Sequence, residues 1–198
     1  DSYANPTFQS WARSFTGAMT GMGNSTVDGV IATKFHRGID GHFMLSSHDA
    51  SSLLKVSDAG EMIWAKTYRN INPKPSEGPL LIQDTASLGD ASSLVVTYPA
   101  GLIKVGQSGG VHWAKDLPLP ATTKAGPAGE SRIMKTIHST VPDGQGGAWL
   151  TGAFVPDGDE ESSGFLLRVN SDGEIQKALS WNQPARYVLP TVLVPTGK

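Results

Sequence analysis

Leu53-Leu54-Lys55-Val56-Ser57-Asp58-Ala59-Gly60-Glu61-Met62-Ile63-Trp64-Ala65-Lys66 returns without a gap as Leu102-Ile103-Lys104-Val105-Gly106-Gln107-Ser108-Gly109-Gly110-Val111-His112-Trp113-Ala114-Lys115. The offset is 49 residues, and Leu, Lys, Val, Gly, Trp, Ala and Lys coincide. A third copy opens at Leu166-Leu167-Arg168-Val169-Asn170-Ser171-Asp172-Gly173-Glu174-Ile175, with Lys177 where the other two carry tryptophan. Near the start, Trp11-Ala12-Arg13-Ser14-Phe15 echoes Trp64-Ala65-Lys66-Thr67-Tyr68. Recurrence on this scale marks stacked units, none of which can hide its apolar side alone.

Each copy reads as a hairpin. Leu54 and Val56 alternate with Leu53 and Lys55, the period of a strand. Asp58-Ala59-Gly60 and Ser171-Asp172-Gly173 are turn sequences whose glycine supplies a positive φ. Met62, Trp64 and Lys66 then share one face of the returning strand. Two further strands are expected before each hairpin, at about Val30–His36 and His42–Ser47, Leu80–Asp84 and Ser93–Tyr98, and Ile133–Ser139 and Gly147–Phe154. Four short antiparallel strands per unit make the blade of a β-propeller. The expected fold is all-β: one partial propeller domain over residues 1–198 with blades near 28–68, 79–117 and 131–181. Orphan strands flank them at Trp11–Phe15 and near Tyr187–Val194, so closure is expected to need a larger propeller, another chain or missing strands.

The hairpin resembles the bacterial propeller repeats of the PQQ-like (quinoprotein-like) and WD40-like group, in which an Asp or Asn turn and a Gly precede a Trp four residues later. Gly60 to Trp64 and Gly109 to Trp113 keep that spacing, while Gly173 to Lys177 keeps it without the ring. In that group the indole docks between neighbouring blades. The resemblance therefore implies blade docking for Trp64 and Trp113, and by its echo for Trp11.

Composition agrees with many short strands. Glycine (23) and proline (13) interrupt helices and build turns, and charged residues are only 17% of the chain. A net charge of −2 gives no reason to expect nucleic acid. No stretch has the length and apolarity of a membrane span. The absence of cysteine excludes disulfides, thiolate metal sites and cysteine nucleophiles. It also fits, weakly, an exported bacterial protein, and the abrupt start at Asp1 reads as a mature product or a fragment.

Candidate chemistry is sparse. Gly106-Gln107-Ser108-Gly109-Gly110 fits the G-x-S-x-G pattern. A nucleophile elbow needs a strand-to-helix turn, whereas the sister repeat makes these five positions a hairpin. Asp157, Asp159, Glu160 and Glu161 form one dense acidic cluster around Gly158, a candidate calcium loop or else a solvated one. His36, His42 and His48 recur every six residues, and His36 faces His42 across an expected turn. Two histidines without a third ligand make a poor metal site. Trp149 and Trp181 lie outside the repeat position and are the candidates for ligand contact. Asn24-Ser25-Thr26 is a glycosylation sequon, read here as a loop, and Pro118–Gly129 reads as an extended excursion between blades.

With tidy repeats and no convergent acid–base set, the expected role is a non-catalytic module. It would serve protein–protein assembly or scaffolding at the cell envelope or cell surface, with no cofactor beyond a candidate Ca²⁺. Its partners would be other subunits or the remainder of a larger propeller. The alternatives are a propeller enzyme or ligand binder, quinoprotein-like or carbohydrate-active, and a lectin-like sugar-binding module.

Overall fold

The three repeats fold as three separate four-stranded sheets. A computed structural model describes residues 34–46, 51–69, 80–98, 101–117, 134–155 and 163–182. The first sheet holds β1 (Lys34–Arg37), β2 (Phe43–Ser46), β3 (Ser52–Val56) and β4 (Met62–Thr67). The second holds β5 (Leu81–Ser87), β6 (Ser93–Tyr98), β7 (Gly101–Val105) and β8 (Val111–Asp116). The third holds β9 (Met134–Pro142), β10 (Ala148–Val155), β11 (Ser163–Val169) and β12 (Ile175–Asn182). Strands lie in sequence order within each sheet, and every neighbouring pair is antiparallel. Among the described residues there is no helix. The chain is an all-β protein built of propeller blades.

The repeat sequence dictates the third turn of each blade in detail. Gly60, Gly109 and Gly173 adopt φ of 79°, 79° and 75°, a region that costs a residue with a Cβ. Their amides donate to the carbonyls of Ser57, Gly106 and Asn170, each at 3.0 Å. In all three hairpins the register slips by one residue just before the turn, at Lys55/Val56, Lys104/Val105 and Arg168/Val169. Gly106–Gly110 is therefore a hairpin turn between two strands, as the repeat requires.

Register also makes positions equivalent. Met44, Leu94 and Trp149 lie opposite Lys55, Lys104 and Arg168. Those three bases lie opposite Trp64, Trp113 and Lys177. In the first and second sheets this row lies on the face that the blade turns toward the next one. Met44 and Leu53 of the first sheet are buried with Ile82, Val95, Ile103 and Val105 of the second. Leu94, Val96 and Leu102 of the second are buried with Ile137, Leu150, Phe165 and Leu167 of the third. Each aliphatic side chain removed from water this way contributes roughly 1.5–3 kcal/mol, so the core of this fold lies between blades.

Strand limits follow the sequence except on the inner strands. β5 runs past the expected end at Asp84 to Ser87, and β9 runs past Ser139 to Pro142. Asp84-Thr85-Ala86-Ser87 looks like a loop because it is small and polar. Its side chains instead bond across to adjacent blades, which satisfies them within a strand.

Candidate functional site

Two constellations join the blades: an indole clamp at the outer strands and a polar tie at the inner ones. Trp64, on β4, lies over the β7–β8 turn of the second sheet. Its Nε1 donates to the Gln107 carbonyl at 2.7 Å. A Cβ on Gly109 would stand 3.2 Å from Trp64 Cδ2 and 2.8 Å from Lys66 Cγ. Tyr68, just beyond β4, donates its hydroxyl to the Gly109 carbonyl at 3.0 Å, and burial pushes its pKa up to about 12. Trp113 lies in the same way over the turn of the third sheet, where a Cβ on Gly173 would stand 2.5 Å from Cη2. Lys115 donates to the Asp172 carbonyl at 2.5 Å and sits 5.3 Å from the Trp113 ring centroid. Glycine thus does two jobs at one position: it permits the left-handed turn and leaves room for the ring.

A second repeated device escaped the sequence reading. Lys55, Lys104 and Arg168 pair with Asp40, Asp90 and Asp143, which lie in the first turn of each blade, at 2.6, 2.8 and 2.7 Å. The same aspartates cap their own turns, accepting from the amides of His42, Ser92 and Gln145. Burial alone would raise the three carboxyl pKa values. The Lys55 and Lys104 contacts at Asp40 and Asp90, and the Gln145 amide with Arg168 at Asp143, outweigh it. Asp90 falls to about 2.

The inner strands are tied to one another by side chains that reach the backbone or a side chain of the neighbouring blade. Lys34 on β1 donates to the His138 carbonyl of β9 at 2.8 Å and lies 3.6 Å from Asp84 of β5. Asp84 accepts from the Thr140 amide at 2.7 Å, and Gln83 accepts from the Ile137 amide at 3.0 Å. Burial raises the Asp84 pKa against the pull of Lys34. His36 Nδ1 meets Thr85 Oγ1 at 2.7 Å, and burial lowers the His36 pKa to about 4 against the attraction of Asp40. Burial likewise lowers the His138 pKa. Nε2 of both histidines is buried with no hydrogen-bond partner among the described residues. The cluster combines one lysine, one carboxylate and two imidazoles held neutral at pH 7.

The remaining candidates are placed as follows. His42 stands 3.3 Å from Asp40 while His36 faces Thr85, so each histidine has its own neighbour, and His48 lies outside the described residues. Among the described residues no group of three or more His, Cys, Asp or Glu is arranged to hold a metal. Asp157, Asp159, Glu160, Glu161 and Trp11 lie outside the described residues. Trp149 occupies the position of Met44 and Leu94 on the outward face of the third sheet. On the same face Trp181, opposite Gly164 in register, lays its indole over that glycine.

No protein-family model matches the chain, and no curated protein matches it. Among solved structures it is similar to a protein of unknown function from Bacteroides caccae, with TM-score 0.46 and 14% identity over 70% of this chain. It is also similar to a streptogramin B lyase, with TM-score 0.42 and 14% identity over 77% of this chain. The matches span 40% of the length of each of those chains. Neither carries a function over.

Proposed function

We propose that the protein is a non-catalytic propeller module for protein–protein assembly or scaffolding at the cell envelope or cell surface. One observation carries the reading. Ile39, Met62, Ile63 and Val111 are exposed large apolar residues at one end of the blades, where the first and third turns lie. Met62 and Val111 are equivalent positions in the first two blades, so the exposure recurs from one blade to the next, while their equivalent in the third, Ile175, packs partly buried against the core. Exposed Asp58, Glu61, Asp172 and Glu174 rim the same end. An apolar surface with a charged rim is the composition of a protein-binding patch.

The inner strands favour the same reading, because most of their polar groups bond to one another across blades. The test compares native particle mass in extracts of the source organism for wild type and a Met62→Glu/Val111→Glu variant. A heavier wild-type particle, lost in a variant that still folds, supports assembly. A lone monomer that turns over a substrate contradicts it.

A second reading, a ligand binder at the propeller axis, draws on the neutral His36 and His138 beside Lys34 and Asp84. Glycan or quinone binding that His36→Ala abolishes at unchanged stability would favour it.

A further inference from the structure

The third blade ends on an outer strand unlike the other two. In every blade the far edge of the outer strand has no ladder partner among the described residues, so its backbone donors and acceptors stay open. β4 and β8 are six residues long, whereas β12 runs for eight. β12 holds one charged residue, Lys177, and no proline. Long open edges with little charge are templates for another strand, and lysines set on the edge are a common guard against it.

Register shows that this guard is replaced on β12. Lys66 and Lys115 lie opposite Leu53 and Leu102, and the residue at that position in the third sheet, opposite Leu166, is Leu179. Leu179 is 61% exposed, while Lys66 and Lys115 reach the turn of the next blade. Trp64 and Trp113 are likewise spent on that next turn, and Lys177 at their position is exposed. Trp181 shares the face of Lys177 and Leu179 and rests on Gly164 of its own sheet. On the opposite face Ala178 and Ser180 are exposed, small and uncharged.

We propose that β12 is a self-pairing edge: two copies of the chain align these strands antiparallel about a two-fold axis at Leu179, joining their third sheets into one. The side chains are complementary in this register. Leu179 meets Leu179 of the second copy, Lys177 lies across from Trp181, and Ala178 lies across from Ser180. Apolar pairs and a cation beside an indole are favourable across a ladder. An axis at Ala178 would set Lys177 against Leu179, and an axis at Lys177 would face two ammonium groups. An edge pairs with itself by two-fold symmetry, and β4 and β8 keep their lysines, so association closes at two copies. This contact lies along the rim of the third blade. It does not rest on the function proposed for the apolar end at Met62 and Val111.

The purified chain, weighed by sedimentation equilibrium at micromolar concentration, is expected to show twice the single-chain mass. Leu179→Glu sets two carboxylates face to face and should raise the dissociation constant by about tenfold or more. Urea unfolding checks that this exposed site tolerates the change, and two cysteine variants decide alone if it does not. The chain has no cysteine of its own, so each variant reads out cleanly. Leu179→Cys at the axis brings the two Cα atoms to roughly 4.5–5.5 Å, within disulfide range, and should link on mild oxidation. Lys177→Cys stands about 13 Å from its copy along the strands and should stay reduced. A single-chain mass for the wild type would mean that the edge takes a strand of another protein or none. A dimer that survives Leu179→Glu would lie elsewhere on the surface, and linking by Lys177→Cys as readily as by Leu179→Cys would mean another register. Each of these three results overturns the proposal, and none bears on the protein-binding end of the blades.

Discussion

The two blade interfaces use one motif and hold it differently. Between the first and second sheets, Trp64 donates to Gln107 and Tyr68 to the Gly109 carbonyl, so ring and phenol are both anchored to the next turn. Between the second and third sheets, Trp113 Nε1 is buried with no partner among the described residues, and Leu117 takes the place of Tyr68. At this clamp Lys115 supplies a polar bond, to the Asp172 carbonyl. The second interface compensates with the larger apolar core, including Leu94, Leu102, Leu117, Phe165 and Leu167. What the repeat conserves is the shape of a ring on a glycine. The chemistry that secures the ring is free to vary.

That difference predicts how each interface breaks. Trp113→Ala should cost about 2–3 kcal/mol, below the range for a fully buried aromatic because the ring is half-buried against the core, and packing is most of what holds it. Trp64→Ala should cost about as much, but Trp64→Phe, which keeps much of the ring and loses the donor to Gln107, should cost more than Trp113→Phe. Urea unfolding of the four variants decides this.

The inner tie predicts a pH response. His36 is about 4 in the folded protein and 6.5 when free, so the unfolded chain binds more protons between these values. Its contribution is intact above pH 6.5 and is lost as pH falls toward 4, by up to about 3 kcal/mol. His36→Gln should flatten this part of the stability profile and leave the part from His138. The three aspartates of the turn pairs lose their contribution at lower pH still, as they protonate. A profile unchanged by His36→Gln would mean that His36 is not buried against Thr85.

Gly109→Ala should cost about 1–3 kcal/mol, from the left-handed turn together with the crowding of Trp64 and Lys66. A smaller effect is expected for Tyr68→Phe, about 1 kcal/mol for one hydrogen bond, with the Gly109 carbonyl left without its phenol. In the second interface Leu117 has no hydroxyl to lose, so a Leu117→Met swap should be near neutral.

The outer half of this architecture was readable from the sequence and the inner half was not. Trp64 and Trp113 stand out because the clamp is local: turn, glycine and ring fall within a few residues. The pairs Asp40–Lys55, Asp90–Lys104 and Asp143–Arg168 recur as faithfully. The aspartate, however, is third in the five-residue turns 38–42 and 88–92 but first in 143–147. The strands between it and its partner also differ in length, so no fixed spacing betrays the pairs. The Lys34–Asp84–His138 tie joins three blades across 104 residues of chain and leaves no periodic trace. The polar run Asp84–Ser87 read as the end of a strand because cross-blade partners are invisible along a sequence. Only register, and no spacing along the chain, places Trp149 with Met44 and Leu94.

The central claim is that an indole stacked on a turn glycine joins one blade to the next. A double-mutant cycle on Trp113→Ala and Gly173→Ala, followed by urea unfolding, tests it most directly. Part of the Gly173→Ala cost comes from the ring and part from the backbone, so the change should be about 1–2 kcal/mol milder once the ring is gone. Strictly additive costs would mean that ring and glycine do not touch, and the blades would have to be held together some other way.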